Sequence, residues 1–595
     1  MQISKVAINN FRGVKQAELL LPRHGVLIGD NNAGKTTVLE ALDLVLGPDR
    51  LNRKPPVDEH DFYNGDYLGE PANAVDVNED QNSTVTTPKI EIEVIITGLS
   101  DEQRNRFSDY LEFWCTESNI LYNEPEVEGV DASHITPALR VTFLGWYDEE
   151  EDDFDGKTYF TRTLTENSSP THFSRKDKQL CGFLYLRTIR TGSRALSLER
   201  GSLLDIVLRL KEIRPQMWAN VLDTLSEVDV ATNPSLGISG VLDSIDTALG
   251  KYVPKEWGMK PHLKISNLTR EHLRKVITAF ISTGSGEHAA PFYRQGTGTI
   301  NMLVLAMLSL IAEEKQNVIF AMEEPETAIP PYAQKRIIHE VRNLSSQALF
   351  TSHSPYVLEE FPHEEVVVLS RNSLGVLTQN SINLPPSIKL KRYRQDFRKN
   401  FSEGLLAPRV LVAEGATEAS AFPVVCRRLE ELNPAEYSSL EVLGISVVDA
   451  GGESNISAMS SFYKTLDKQV FAICDKQTED AKSKILAEVD ELLMHKEKGF
   501  EDLVLNNSCS VALEGFANQL DWPQHLASKF PKLIAGEQVN KALREYFKNA
   551  KAESRIDDFL AQCNEDELPV WLKESAKKLK QLCSVNTELE SDTDT

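Results

Sequence analysis

Two groups of residues in this 595-residue chain have the types and spacing for phosphate chemistry. The first is Gly29-Asp30-Asn31-Asn32-Ala33-Gly34-Lys35-Thr36-Thr37, which fits the phosphate-binding pattern G-x-x-x-x-G-K-[ST]. Its glycines let the backbone curl so that N–H groups and a helix N-terminus face the phosphates. Lys35 then reaches the β/γ oxygens, and the Thr36 hydroxyl holds Mg²⁺. Such a loop needs a metal-and-water partner on a neighbouring strand. Val318-Ile319-Phe320-Ala321-Met322, running into Glu323-Glu324-Pro325-Glu326, supplies it. Glu323 would assist Mg²⁺, and Glu324 would orient or deprotonate the attacking water. The second group lies downstream. Glu414 ends the apolar run Val410-Leu411-Val412-Ala413, with Glu418 one helical turn beyond on the same side. Asp475 ends Val470-Phe471-Ala472-Ile473-Cys474, and Glu514 ends Ser510-Val511-Ala512-Leu513. Acids at the ends of parallel strands converge at one edge of a sheet, where ligands bind. Carboxylate oxygens with water are what Mg²⁺ or Mn²⁺ needs.

The elements around these residues read consistently. Gly25-Val26-Leu27-Ile28 leads into the phosphate loop as a strand, and Val38-Leu39-Glu40-Ala41-Leu42 leaves it as a helix. Gln347-Ala348-Leu349-Phe350-Thr351 is a short strand ending in Ser352-His353. Residues 71–88 read as a surface loop, and the acidic run Asp148 to Asp153 as a loop tip between two strands. From Ser202 to Lys275 the periodicity is mainly helical. Strand character returns near Val318 and Val366, and a second α/β segment starts near Val410.

The net charge of −25 makes the chain a poor candidate for wrapping nucleic acid by bulk electrostatics. Local patches and bound metal ions can still supply positive charge. One such patch is Lys389-Leu390-Lys391-Arg392-Tyr393-Arg394 with Arg398-Lys399, either a solvated helix face or a phosphate-contacting linker. The seven cysteines are scattered and never spaced C-x-x-C. They fit reduced thiols in a cytoplasmic protein and argue against a zinc site or a disulfide framework. No apolar run reaches the length of a membrane span, and the N-terminus reads as the start of a strand.

Taken with Asn10-Phe11-Arg12-Gly13, these nucleotide motifs resemble the Rad50/SMC/RecF branch of ABC ATPases. Arg294-Gln295-Gly296-Thr297-Gly298-Thr299 resembles the signature motif of that class, which closes on the ATP of a second subunit. Cofactor contacts would thus extend from Asn31, Asn32, Ala33, Gly34 and Thr37 in the loop to Gly296 and Gly298 across a dimer. His353 looks like the switch histidine that contacts the γ-phosphate. The branch usually carries Asp at Glu323, a change between two oxygen ligands. The segment between the motifs lacks long heptads and reads as a compact insertion.

The downstream acids resemble a Toprim domain. A Toprim domain after such an ATPase is the arrangement of the OLD (overcoming lysogenization defect) family of ATP-dependent endonucleases, which includes Gabija-type and retron-type phage-defence effectors. The resemblance implies an α/β fold class: an ABC-type P-loop ATPase head with a helical dimerisation insertion, followed by a Toprim α/β domain. The expected layout is ATPase at 1–200 and 281–385, a helical insertion at 201–280, a basic linker at 386–408, Toprim at 409–585 and a disordered tail at 586–595. Glu414 and Glu418 match the family's first two acids, Asp475 the first acid of its D-x-D, and Glu514 a later Leu-Glu acid. All four are candidate metal ligands and catalytic groups. The family also has a basic catalytic residue near the C-terminus, for which Lys551, with Lys573 second, is the candidate. The implied cofactors are ATP and Mg²⁺ or Mn²⁺. The implied partners are DNA, a second copy of the chain, and a defence-system protein, either helicase-like or a retron reverse transcriptase with its DNA.

One residue departs from this pattern: the second acid of D-x-D is Gln477 here. Either one metal site is weakened, or Glu479 or Asp480 stands in, or the nuclease is degenerate. The last option defines a different class of function, an ATP-switched DNA-sensing or clamp module with an inactive Toprim domain. A generic RecF-like repair ATPase is disfavoured by the ordered strand-end acids.

Overall fold

The computed structural model describes residues 1–48, 55–68, 87–166, 169–186, 198, 202–211, 214–227, 238–249, 269–277, 279–282, 289–314, 318–327, 330–382, 401–530, 537–548 and 555–591. The expected loop at 71–88 falls largely outside them, as do the basic patch at 389–399 and Lys551.

Two sheets organise the chain. The first begins with β1 (Gln2–Phe11), β2 (Val14–Leu20) and β3 (His24–Ile28). An antiparallel wing follows: β4 (Ile90–Thr97), β5 (Leu111–Cys115), β6 (Ile120–Tyr122), β7 (Ile135–Asp148) and β8 (Asp153–Phe160). The acidic run is the tip between β7 and β8, as expected. The sheet is completed by β9 (Phe183–Leu186), β12 (Ile319–Glu323), β13 (Gln347–Thr351), β14 (Val366–Arg371) and β15 (Val376–Ser381); β10 (Phe280–Ser282) and β11 (Ala289–Pro291) form a separate hairpin. The order across the sheet is β6-β5-β7-β4-β1-β2-β15-β14-β3-β13-β12-β9. Strands β14, β3, β13, β12 and β9 run parallel. Their residues are apolar on both faces because both faces are covered, so β12 and β13 are buried throughout. The second sheet is parallel, β17-β16-β18-β19, from β16 (Arg409–Ala413), β17 (Ile445–Asp449), β18 (Gln469–Cys474) and β19 (Glu491–Met494).

Helix α1 (Lys35–Leu46) follows the phosphate loop, and its apolar side lies in the core beneath the wing. Lys178, on α2 (Arg175–Cys181), is buried there and donates to the Leu44 carbonyl at the end of α1 at 2.9 Å. Burial pushes its amine down to about 7 from an ordinary value of 10.5. Between those values the unfolded chain carries a proton that the folded chain lacks. Stability from this group therefore rises with pH, by about 1.4 kcal/mol per pH unit. Urea unfolding of wild type and Lys178→Met should diverge in favour of wild type from pH 7 to pH 9. A constant difference would mean that the buried amine keeps its proton.

The segment expected to be helical contains α3 (Leu203–Leu210), α4 (Arg214–Glu227) and α5 (Ile238–Leu249). Beyond them lie α6 (Thr297–Glu314), α7 (Pro331–Leu344), α8 (Pro355–Leu358) and α9 (Ser402–Leu406). The last is a difference from expectation, since 402–406 falls in the anticipated linker. Its Leu405 is buried in an apolar core that runs from Phe350 of the first sheet and Leu358 of α8 to Phe462 and to Val410 and Val470 of the second sheet. The tail differs too. Helix α14 (Val570–Ser591) continues through most of the segment expected to be disordered. No Gly or Pro interrupts it, and extending an existing helix is cheap once its first turns are formed.

Candidate functional site

The phosphate loop has the backbone its sequence requires. Gly29 has φ 153° and Gly34 φ 97°. A Cβ on Gly29 would collide with the Leu369 carbonyl, so only glycine fits. Gly34 caps α1 with no side chain in the way. Lys35 is buried and its Nζ donates to the Gly29 and Asp30 carbonyls at 2.8 Å each. Burial lowers its pKa, with Asp30 and Glu324 pulling the other way. Asn31, Asn32 and Thr36 are exposed, Thr37 is half-buried, and Ala33 is buried.

The sheet order assembles the rest. Strand β13 lies between the loop strand β3 and the acidic strand β12, so all three carboxyl ends meet at one edge. Glu323 ends β12 and accepts from the Tyr185 hydroxyl of β9 at 2.7 Å. Glu324 has φ 41°, in the left-handed region, and its N–H donates to the Thr351 carbonyl at 2.9 Å. Such strain costs ~1–3 kcal/mol and persists where surrounding bonds impose it. His353 is exposed just beyond β13. Its pKa is lowered by burial of part of the ring and by Lys35, with Glu324 and Asp30 opposing. Lys35, Glu324 and His353 thus share one electrostatic neighbourhood.

Glu326, the last acid of the Glu-Glu-Pro-Glu run, braces this edge. Its Oε1 accepts from Ser352 Oγ at 2.9 Å and from the His353 N–H at 2.8 Å. Burial raises its carboxyl above the usual range, against those hydrogen bonds. It is a positioning residue for His353. Glu326→Ala should lower kcat for ATP hydrolysis by ~10²-fold with KM little changed, because a small displacement of a reacting group is enough for that loss. Glu326→Gln, which keeps an acceptor oxygen, should recover much of it. Equal losses in both variants would argue against the positioning role.

Arg12 pairs with Glu40 of α1 and with Asp61, tying the β1–β2 turn to the loop helix. Gly296 is exposed, and a Cβ on it would meet nothing within 4 Å. Gly298 lies in the first turn of α6.

In the second sheet, Glu414 leaves the end of β16 and Asp475 the end of its neighbour β18. The Glu414 N–H donates to the Ile473 carbonyl at 3.0 Å, and Glu414 Oε2 accepts from the Asp475 N–H at 3.1 Å. Glu418 sits in the first turn of α10 (Ala416–Leu432), 7% exposed. Burial pushes Glu414 up to about 7, with repulsion from Asp475 and Glu418 adding to it. Glu418 is raised as well, by burial and then by Glu501 and Asp475. These three predicted acids are therefore brought together. Gln477 joins them: its Nε2 donates to Glu414 Oε2 and Asp475 Oδ1 at 3.0 Å each, while its Oε1 is buried without a partner.

Other placements differ from expectation. Glu514 lies on helix α13 (Ser510–Gln519), half-buried, and ends no strand. Glu479 and Asp480, the alternatives for the missing acid, are exposed in the first turn of the helix Glu479–Leu486, where they pair with Lys482 and Lys484. Among the described residues the Lys573 side chain forms no ion pair. The acid that sequence reasoning missed is Glu501, on α12 (Phe500–Asn507). It acts electrostatically on Glu418, and Thr417 Oγ1 donates to its Oε1 at 3.0 Å. Its signal was Gly499, at φ 101°, opening a helix with an acid in its first turn. His495 was also missed. It follows β19 directly, is 2% exposed, and has both ring nitrogens unpartnered beside Asp475, with its pKa lowered by burial.

Among the described residues no three His, Cys, Asp or Glu side chains are close enough to hold a metal by themselves. Gln477 adds an amide beside Glu414 and Asp475, with its NH₂ toward both acids and its oxygen unpartnered. Two carboxylates and one amide carbonyl make an all-oxygen donor set, which fits Mg²⁺ or Mn²⁺ and not zinc.

Two family models match segments of the chain that contribute to the two sheets. The AAA ATPase domain family matches residues 1–134 and 209–358. The TOPRIM domain of overcoming-lysogenization-defect-like proteins matches residues 405–476. Endonuclease GajA of Bacillus cereus is 21% identical over 589 residues, covering 94% of this chain and 87% of that protein. The OLD nuclease of Thermus scotoductus is 22% identical over 506 residues, covering 80% and 82%. Among solved structures, an SMC head bound to the winged-helix domain of ScpA has a TM-score of 0.34 at 11% identity, covering 65% of this chain and all of that one. The SMC head from Thermotoga maritima has a TM-score of 0.28 at 12% identity, covering 64% and all of it. No helix among the described residues is long and apolar enough to cross a membrane. The chain joins an AAA-type ATPase to an OLD-like Toprim domain and is an ATPase–Toprim fusion of the OLD family.

Proposed function

We propose that this protein is an ATP-regulated, divalent-metal-dependent DNA endonuclease of anti-phage defence. The observation that carries the reading is the meeting of Glu414, Glu418 and Asp475 at the carboxyl edge of the second sheet, in a chain whose first sheet carries Lys35, Glu323, Glu324 and His353 at its own carboxyl edge. The two relatives named as nucleases support it.

In this reading Thr36 and Glu323 serve the nucleotide's Mg²⁺, Glu324 orients the attacking water and His353 reports the γ-phosphate. Glu414, Asp475 and Gln477 hold one divalent ion, and Glu418 with Glu501 offers a second position. An ion bound there supplies Lewis acidity at the scissile phosphate and a more acidic water. Recognition centred on phosphate implies little base readout.

ATP control has a physical route. Helix α8 begins two residues after His353 and packs on α9. Next to α9, Phe401 packs on Phe462 and Tyr463 of α11 (Ile456–Lys464) in the Toprim sheet layer. A shift at His353 on nucleotide binding therefore meets the Toprim core within one short helix. The open Gly296, with exposed Tyr293 and Met302 nearby, supports completion of the ATP site by a second copy. A helicase-like protein or a retron complex is a family-level expectation for the partner.

The test is plasmid DNA with Mg²⁺ or Mn²⁺, with and without ATP. Nicked or linear product supports the reading, and an intact plasmid under every condition overturns it. A second reading, a DNA-sensing clamp with an inactive Toprim domain, is favoured by the Gln477 amide lying between Glu414 and Asp475. ATP-dependent DNA binding with no nicking would select it.

A further inference from the structure

Gln477 uses only half of its amide. The Nε2 donates to both Glu414 and Asp475 at 3.0 Å, the side chain is buried, and Oε1 has no partner. A buried carbonyl oxygen left unsatisfied in a polar cluster needs a reason. An amide has one: its oxygen and NH₂ ends have nearly the same shape, so a half turn about the last torsion exchanges donor for acceptor in place. With NH₂ inward, the amide lends partial positive charge to two anions. With Oε1 inward, it would face the same two anions, an arrangement stable only with a cation between them.

We propose that Gln477 is a two-position ligand. In the metal-free protein its amide hydrogens cross-link Glu414 and Asp475, and the turned amide offers Oε1 to the divalent ion. This rests on the endonuclease reading and goes further, because it makes the departure from D-x-D a working part of the site. A neutral third ligand lowers the site's negative charge by one relative to a carboxylate. Affinity for hard cations follows ligand charge count, so the site is tuned to weaker, reversible metal binding. The same cross-link keeps the acids gathered when no ion is present.

The test uses the full-length protein and Mn²⁺ as probe, read by electron paramagnetic resonance titration, with thermal unfolding in EDTA alongside. Gln477→Glu should bind Mn²⁺ at least ten-fold more tightly than wild type and unfold at lower temperature in EDTA, since three carboxylates then face one another. Gln477→Leu should bind at least ten-fold more weakly. Unchanged Mn²⁺ affinity in a folded Gln477→Leu, with binding abolished in Glu414→Ala, would reduce the amide to a structural cross-link and overturn this proposal alone. Absence of Mn²⁺ binding by wild type would overturn the metal-dependent reading with it.

Discussion

Glu414→Ala should abolish DNA cleavage, with a loss of about a thousandfold or more, equivalent to ~4 kcal/mol of transition-state stabilisation. The argument begins with the strand. Val410 to Ala413 is fully buried between two parallel neighbours, so Glu414 is the first side chain free to turn out at the carboxyl edge. Its backbone is held on both sides, by the Ile473 carbonyl at 3.0 Å and by the Gly452 N–H at 2.7 Å. Its carboxylate accepts from the Asp475 N–H and the Gln477 amide. Alanine removes the acceptor that gathers those groups as well as the charge. Agarose assays of plasmid nicking over time measure the effect, and an unchanged unfolding transition separates lost chemistry from lost fold. Cleavage surviving at wild-type rate would mean that the nuclease lies elsewhere in the chain, or in a contaminant.

Glu324→Gln should cut ATP hydrolysis by ~10²–10⁴-fold, the range for removing a positioned base, while nucleotide binding persists. The substitution keeps shape and hydrogen-bonding size, and Lys35 and the loop glycines are untouched. The backbone at φ 41° and its bond to Thr351 hold residue 324 against the phosphate edge whatever its side chain. Release of product then becomes rare, so an ATP-held dimer should accumulate. Light scattering with ATP should show this dimer in the variant and a smaller fraction in wild type. Hydrolysis within a few-fold of wild type would exclude Glu324 from the water-activating role.

Much of the candidate site was legible in residue order. The phosphate loop, Glu323-Glu324 and His353 each follow a short apolar run, and such runs became β3, β12 and β13. Local chemistry explains this: a buried parallel strand is apolar throughout, and its first polar residue marks the carboxyl end. The same rule found Glu414 and Asp475. It failed at Glu514, where an apolar triplet before an acid belongs to a helix face and not to a strand. It also passed over Glu501, which stands at the start of a helix.

The sequence by itself determined which residues bear charge at the ends of strands, because that information lies within five or six neighbours. Only the tertiary structure decided which ends meet. Strand β13 separates β3 from β12, although over three hundred residues lie between β3 and β13 in the chain. One apolar core that contains Phe350, Leu358, Phe401 and Val410 joins the two sheets. The placing of Gln477 between two carboxylates, and of Glu326 under His353, likewise depends on loops from different strands meeting in space. Sheet order and loop contact are set by burial summed over the whole chain, which no local window of residues contains.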